Sequence, residues 1–296
     1  MRRVRGMTIR QNALKTQSRF VTAMLVAATL FAPGAAFAGP ADTYYERAFV
    51  VAADARCDLF QPHIGRALVA ATAQARGAAL RSGAVAGDLT DVAARARARA
   101  GAVSCRDPQL SVVKSRVDGA FEGWSRTPRM TFPGARLDWV ANRTGYARPT
   151  WRLNQASVVG ASPVTFGYAG KDDQADLVAV VSWYGRPRPT AARLVFRDPA
   201  KAPRPWLVGD NLIPASARAS LWASDVSAAD PTLLPAGKRA GEAWRFAPFA
   251  ADALDRLDPR EAFAIEFHFR DGSVATVPFE AGDFAAGRAF LAMGGL

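Results

Sequence analysis

The chain is poor in the residues from which most catalytic and metal sites are built. Its 296 residues include only two cysteines and two histidines. Zinc modules rich in paired cysteines are thereby excluded, and so is a redox centre, because no Cys-x-x-Cys occurs. Cys57, His63 and Cys105 together would give three ligands where structural zinc takes four in short paired spacings. There is no phosphate-cradling glycine loop and no dinucleotide fingerprint, so neither metal nor organic cofactor is expected. No internal repeat is visible, which excludes a solenoid or propeller. No apolar run reaches the roughly 20 residues of a membrane-spanning helix.

Acidic residues are missing from one place in particular. Residues 1–19 carry Arg2, Arg3, Arg5, Arg10, Lys15 and Arg19 without a single acid. An apolar run from Phe20 to Phe31 follows, then Pro33-Gly34, then Ala36-Phe37-Ala38. A basic head, an apolar run and a small-residue site predict a secretory signal peptide cleaved after Ala38. No cysteine lies near that point for lipid attachment. Arg2-Arg3 lacks the apolar pair of a twin-arginine signal, so the general secretory route is expected. The whole chain has a formal charge of +12; without the leader, 32 basic and 26 acidic residues remain, a formal +6. That mild balance, in an exported protein, argues against nucleic acid as the partner.

Cys57 and Cys105 both follow the leader. In an oxidising compartment an even pair closes, so a Cys57–Cys105 disulfide is predicted. Such a loop would contribute about 4 kcal/mol through chain entropy.

Residues 41–126 read as helices. Tyr45, Ala48, Phe49, Ala52 and Ala55 recur at helical steps, as do Ile64, Leu68, Ala71, Ala75 and Ala79 after Gln61-Pro62. A third helix starts near Asp88. A fourth starts at Asp107-Pro108 and carries Leu110, Val113, Val117, Phe121 and Trp124. Arg95, Arg97 and Arg99 are split by helical geometry and read as solvated charge. After Thr127 the pattern shifts to short β-type runs. These are Trp151–Val159, Val164–Tyr168, Leu177–Trp183, Ala192–Arg197, Trp206–Val208, Leu221–Ala223 and Ala243–Phe246. The fold class expected is α+β. A disulfide-stapled helical bundle comes first, then an antiparallel β-rich domain, a sandwich or partial barrel, with a C-terminal helix. The expected divisions are residues 1–38, 39–127 and 128–296.

The hairpin at 261–280 can be read more finely. Phe263, Ile265, Phe267 and Phe269 share one face; Glu266, His268 and Arg270 share the other. A three-residue loop, Arg270–Gly272, pairs Phe267 with Ala275, Ile265 with Val277 and Phe263 with Phe279. That register keeps the apolar face continuous, whereas a two-residue loop breaks it. Pro278 marks an edge strand or a strand end.

The candidate catalytic residues are few. Glu266 and His268 could form an acid–imidazole pair. Asp172 and Asp173, with Asp176, gather in KDDQAD, which lacks the glycine and terminal glutamate of a calcium loop. GASPV at 160–164 begins like a nucleophile elbow but lacks the closing glycine. The seven tryptophans could line a binding groove, although most such rings are core. No catalytic set is complete. The function expected is therefore a non-catalytic binding or interaction protein of the cell envelope, periplasmic in a two-membrane host. Its partner would be an envelope polymer, a lipid surface or another envelope protein. The alternative is a carboxylate-dependent hydrolase of an envelope polymer.

Overall fold

Four helices open the described part of the chain: α1 (Pro40–Cys57), α2 (Pro62–Arg81), α3 (Ala86–Ala102) and α4 (Pro108–Ser125). The computed structural model describes residues 39–171, 174–185, 187–208 and 212–296. The predicted leader and its cleavage site after Ala38 therefore lie outside the described residues, as do Asp172 and Asp173. Proline stands first in α1, α2 and α4, where its missing N–H costs nothing. The Asp107 carboxylate caps α4 by accepting from the Gln109 N–H at 2.8 Å. α3 buries Leu89, Ala93, Ala96 and Ala100, a stripe of mostly small side chains that lets α1 come close. Arg95, Arg97 and Arg99 stay exposed. The guanidinium of Arg56 donates to the carbonyls of Gly101 and Val103 at the end of α3, where a cation suits the helix dipole.

The predicted disulfide is present. Cys57, the last residue of α1, is bonded to Cys105, just before α4, with Cα atoms 5.5 Å apart. It ties the end of α1 to the turn before α4 across a sequence separation of 48 residues.

The rest is antiparallel sheet. One sheet holds seven strands: β1 (Arg129–Phe132), β2 (Trp139–Asn142), β3 (Thr150–Val159), β4 (Ser162–Lys171), β5 (Gln174–Val181), β8 (Asp225–Ala228) and β9 (Glu242–Phe246). Their spatial order is β1-β2-β3-β4-β5-β9-β8. The other holds β6 (Ala191–Arg197), β7 (Arg218–Trp222), β10 (Ala262–His268) and β11 (Val274–Glu280), in the order β11-β10-β6-β7. Two short α-helices follow among the described residues, α5 (Phe249–Asp255) and α6 (Phe284–Leu291).

The sheets meet through aromatic side chains. Phe166 on β4 lies 5.6 Å, ring centre to ring centre, from both Phe263 on β10 and Phe279 on β11. Trp244 on β9 lies 6.1 Å from Phe267. The same core takes in Ala67 and Ala70 of α2 and Phe284 and Phe290 of α6. The described residues from 39 to 296 thus form one compact unit.

The C-terminal hairpin has the three-residue loop. Phe267 pairs with Ala275, Ile265 with Val277 and Phe263 with Phe279, and Gly272 takes φ +78°. β11 is an edge strand, in keeping with Pro278. Two strand expectations are corrected. Trp206–Val208 is irregular, because the Trp206 N–H is drawn to the Glu261 carboxylate at 3.0 Å instead of to a neighbouring strand. The run expected at Leu221–Ala223 begins earlier, at Arg218.

Candidate functional site

Glu266 and His268 lie on β10, an interior strand between β11 and β6. Alternation sends Phe263, Ile265 and Phe267 into the core and turns Glu266 and His268 to the sheet's outer face. Register then assembles the site. Glu266 stands opposite Thr276 on β11 and Arg193 on β6, and Arg193 stands opposite Trp222 on β7.

The contacts along this row are specific. Arg193 Nε donates to Glu266 Oε2 at 2.7 Å. Arg218 Nη1 lies 3.8 Å from Glu266 Oε1. The Trp222 ring lies 5.1 Å from the His268 ring and 5.3 Å from the Arg193 guanidinium carbon. His268 Nε2 lies 3.7 Å from Glu266 Oε2, beyond hydrogen-bond length. That nitrogen is buried and takes no hydrogen bond among the described residues.

Alternation alone assigns Glu266 to a solvated face. It is in fact only 6% exposed, because guanidinium groups from β6 and β7 close over it. Trp222 is the opposite case, a large indole left 53% exposed.

This geometry limits the chemistry. Glu266 is held as a hydrogen-bond acceptor by Arg193, which suits a fixed anion better than a mobile base. No described hydroxyl or thiol bonds the His268 imidazole; Thr190 Oγ1 reaches the His268 backbone carbonyl instead, at 3.2 Å. A nucleophile–base pair is therefore not assembled here. What the face offers is an indole surface and the two terminal nitrogens of Arg193, which make no hydrogen bond among the described residues.

A second network borders it. Arg197, on the same face of β6, grips Glu261 through Nε–Oε1 at 2.5 Å and Nη2–Oε2 at 2.9 Å. Glu261 also accepts from the backbone N–H of Trp206 at 3.0 Å and of Asp258 at 2.8 Å. Arg197 Nη1 donates to the Ala202 carbonyl, and Arg218 Nε to that of Ile213. The long β6–β7 connection is thereby pinned beside the row.

The other expected residues fall elsewhere. Asp176 on β5 pairs with Arg245 at 3.4 Å, on the seven-stranded sheet and away from Glu266. Lys171 and Gln174, which flank Asp172 and Asp173, pair with each other across β4 and β5. Gly160 of GASPV has φ +58° between β3 and β4, so that motif is a hairpin turn. His63 clasps Glu122 of α4 at 3.2 Å on the surface. Among the described residues, no three His, Cys, Asp or Glu side chains converge as metal ligands. Described surface clefts of about 320, 350 and 280 Å³ are lined by neither Glu266 nor His268. No described helix is long and apolar enough to cross a membrane.

Arg193, Arg218 and Trp222 were not singled out in the sequence. The alternation over Ala192–Arg197 does put Arg193 on the polar side. Its partners depend on which distant strands pair, which no local pattern carries.

Comparison with protein-family models, with curated proteins and with solved structures finds no match to this chain.

Proposed function

We propose that this chain is an exported, non-catalytic binding or interaction protein of the cell envelope, periplasmic in a two-membrane host. Its contact surface is the outer face of the four-stranded sheet around Trp222. One observation carries the reading: an exposed indole is held by Arg193 and His268 beside a carboxylate that is already paired. Such a surface supplies stacking and charge, not proton transfer. The basic and apolar head of the sequence supports export, and the Cys57–Cys105 bond agrees with an oxidising compartment. The helical part, residues 39–127, braces the β-rich part, residues 128–296, which carries the surface.

The test is retention of the purified protein, residues 39–296, on washed cell-envelope material. Wild type is expected to be retained, and Trp222→Ala to lose most of that retention at an unchanged melting temperature. A panel of envelope-polymer hydrolase substrates is run in parallel. Turnover that disappears with Glu266→Gln would replace this reading with the hydrolase.

A further inference from the structure

The four-stranded sheet has two edges, and they are finished differently. At the β11 edge, Pro278 has no N–H to offer. There the Gln155 side chain accepts from the Glu280 N–H at 2.8 Å and donates to its carbonyl at 3.3 Å, and Ser157 Oγ donates to the Pro278 carbonyl at 2.7 Å. β3 thus covers the backbone of β11.

Among the described residues the β7 edge has no such cover. At its ends the ladder with β6 runs from Asp198 N to the Ala217 carbonyl and from Ala223 N to the Ala192 carbonyl. In an antiparallel pair, bonded positions alternate. Residues 217, 219, 221 and 223 therefore face β6, and the backbone groups of Ser220 and Trp222 point away from it. Among the described residues nothing takes those groups. Arg218 is already occupied, since its N–H donates to the Ala215 carbonyl and its own carbonyl accepts from Lys201 Nζ at 3.3 Å. The usual guards of an edge, proline, lysine or an inward charge, are missing from Ser220-Leu221-Trp222.

The surface beside this opening is biased in charge. Two guanidinium groups, Arg193 and Arg218, face one carboxylate, Glu266. Lys201, itself paired with Asp198, stands at the rim. None of the described clefts lies here, and a flat edge suits an extended chain.

We infer that the open edge of β7 receives an extended acidic segment of a partner protein. The segment adds a strand at Ser220–Trp222 and sets its carboxylates against the excess positive charge beside Trp222. This rests on the reading of that face as an interaction surface, and it names the partner's chemistry.

The probe is a capped hexapeptide of alternating Glu and Val, titrated calorimetrically into residues 39–296. Two controls accompany it: the same peptide with Lys for Glu, and the Glu peptide with alternate amides N-methylated. The Glu peptide is expected to bind, the Lys peptide at least about tenfold more weakly, and the N-methylated peptide not at all. Ser220→Pro should abolish binding at an unchanged melting temperature, because the Ser220 N–H lies outside the β6 ladder. Trp222→Ala should weaken it about tenfold. Equal binding of the N-methylated peptide, survival of binding in Ser220→Pro, or no binding of any peptide at millimolar concentration each overturns strand addition. Binding of oligogalacturonate that survives Ser220→Pro but not Trp222→Ala would also overturn it, while leaving the contact surface standing. Loss of envelope retention by wild type would remove the surface itself.

Discussion

Asp283 shows what burial does to a single charge. It precedes α6, is only 2% exposed, and its carboxyl lies against Gly77 of α2, where a Cβ would collide with it. Arg81 bonds one oxygen; the other, Oδ2, is buried without a partner among the described residues. Burial pushes this carboxyl above its ordinary 3.8, against the opposing pull of Arg81. The folded protein therefore holds this proton more tightly than the unfolded chain does. Stability from the protonated form is full below 3.8 and is lost as pH rises through the higher folded value. Asp283→Asn keeps the shape and removes the titration. Melting temperatures of both proteins, measured from neutral pH down to 3.8, should show wild type gaining on the variant as pH falls. A constant gap over that range would mean that the carboxyl is not held protonated by burial.

At the scale of elements, two devices hold segments that have little core of their own. Arg197 and Glu261 form an almost fully buried pair, and through it β6, the Trp206 segment and the start of β10 are tied together. Removing one partner strands the other charge. Arg197→Met is expected to cost about 3–5 kcal/mol in denaturant unfolding, and Arg197→Met with Glu261→Met to recover much of it. A single-variant loss below about 1 kcal/mol would mean that the carboxylate finds water or another donor. The disulfide is the second device. Replacing both cysteines by serine should cost about 4 kcal/mol. Amide exchange should quicken more in α1 and α4, beside the lost bond, than in β10 and β11. Native protein titrated for thiols should show none. Equal loosening of both regions would argue that the bond acts on the whole fold.

Elements also show what the sequence discloses and what it hides. Helix starts are legible because Pro40, Pro62 and Asp107-Pro108 act locally. The hairpin register is legible because Phe263, Ile265 and Phe267 must share a buried face and Gly272 can take a positive φ. β1, β2 and β8 are four residues each, too short to display alternation. Trp206–Val208 has the composition of a strand, yet a carboxylate 55 residues away claims its backbone. The candidate site falls between these cases. Glu266 and His268 could be found on one polar face. The burial of Glu266 beneath Arg193 and the packing of His268 against Trp222 could not, because β6 and β7 reach them only through long-range pairing.

The whole molecule depends on α6, the short helix that both parts share. α2 packs against it, and so do β1, β2 and β3. Phe290 is fully buried at that junction. Its ring lies 5.8 Å from Trp124 of α4 and 5.7 Å from Phe132 of β1, with the Arg143 guanidinium 5.1 Å above it. One side chain thus joins the helical bundle to the sheets, and a core shared in this way should unfold as one. Phe290→Ala removes the ring from α4, β1 and the Arg143 side chain at once. It should cost about 3–5 kcal/mol, as large-to-small changes in a closed core do. It should also split the calorimetric transition, because the disulfide still holds α1 to α4 while the link to the sheets is weakened. Far-ultraviolet ellipticity would then report helix loss separately from the tryptophan signal of the sheets. If the variant still melts in one step with nearly wild-type stability, the bundle and the sheets must be coupled through α2 and Asp283 rather than through this ring.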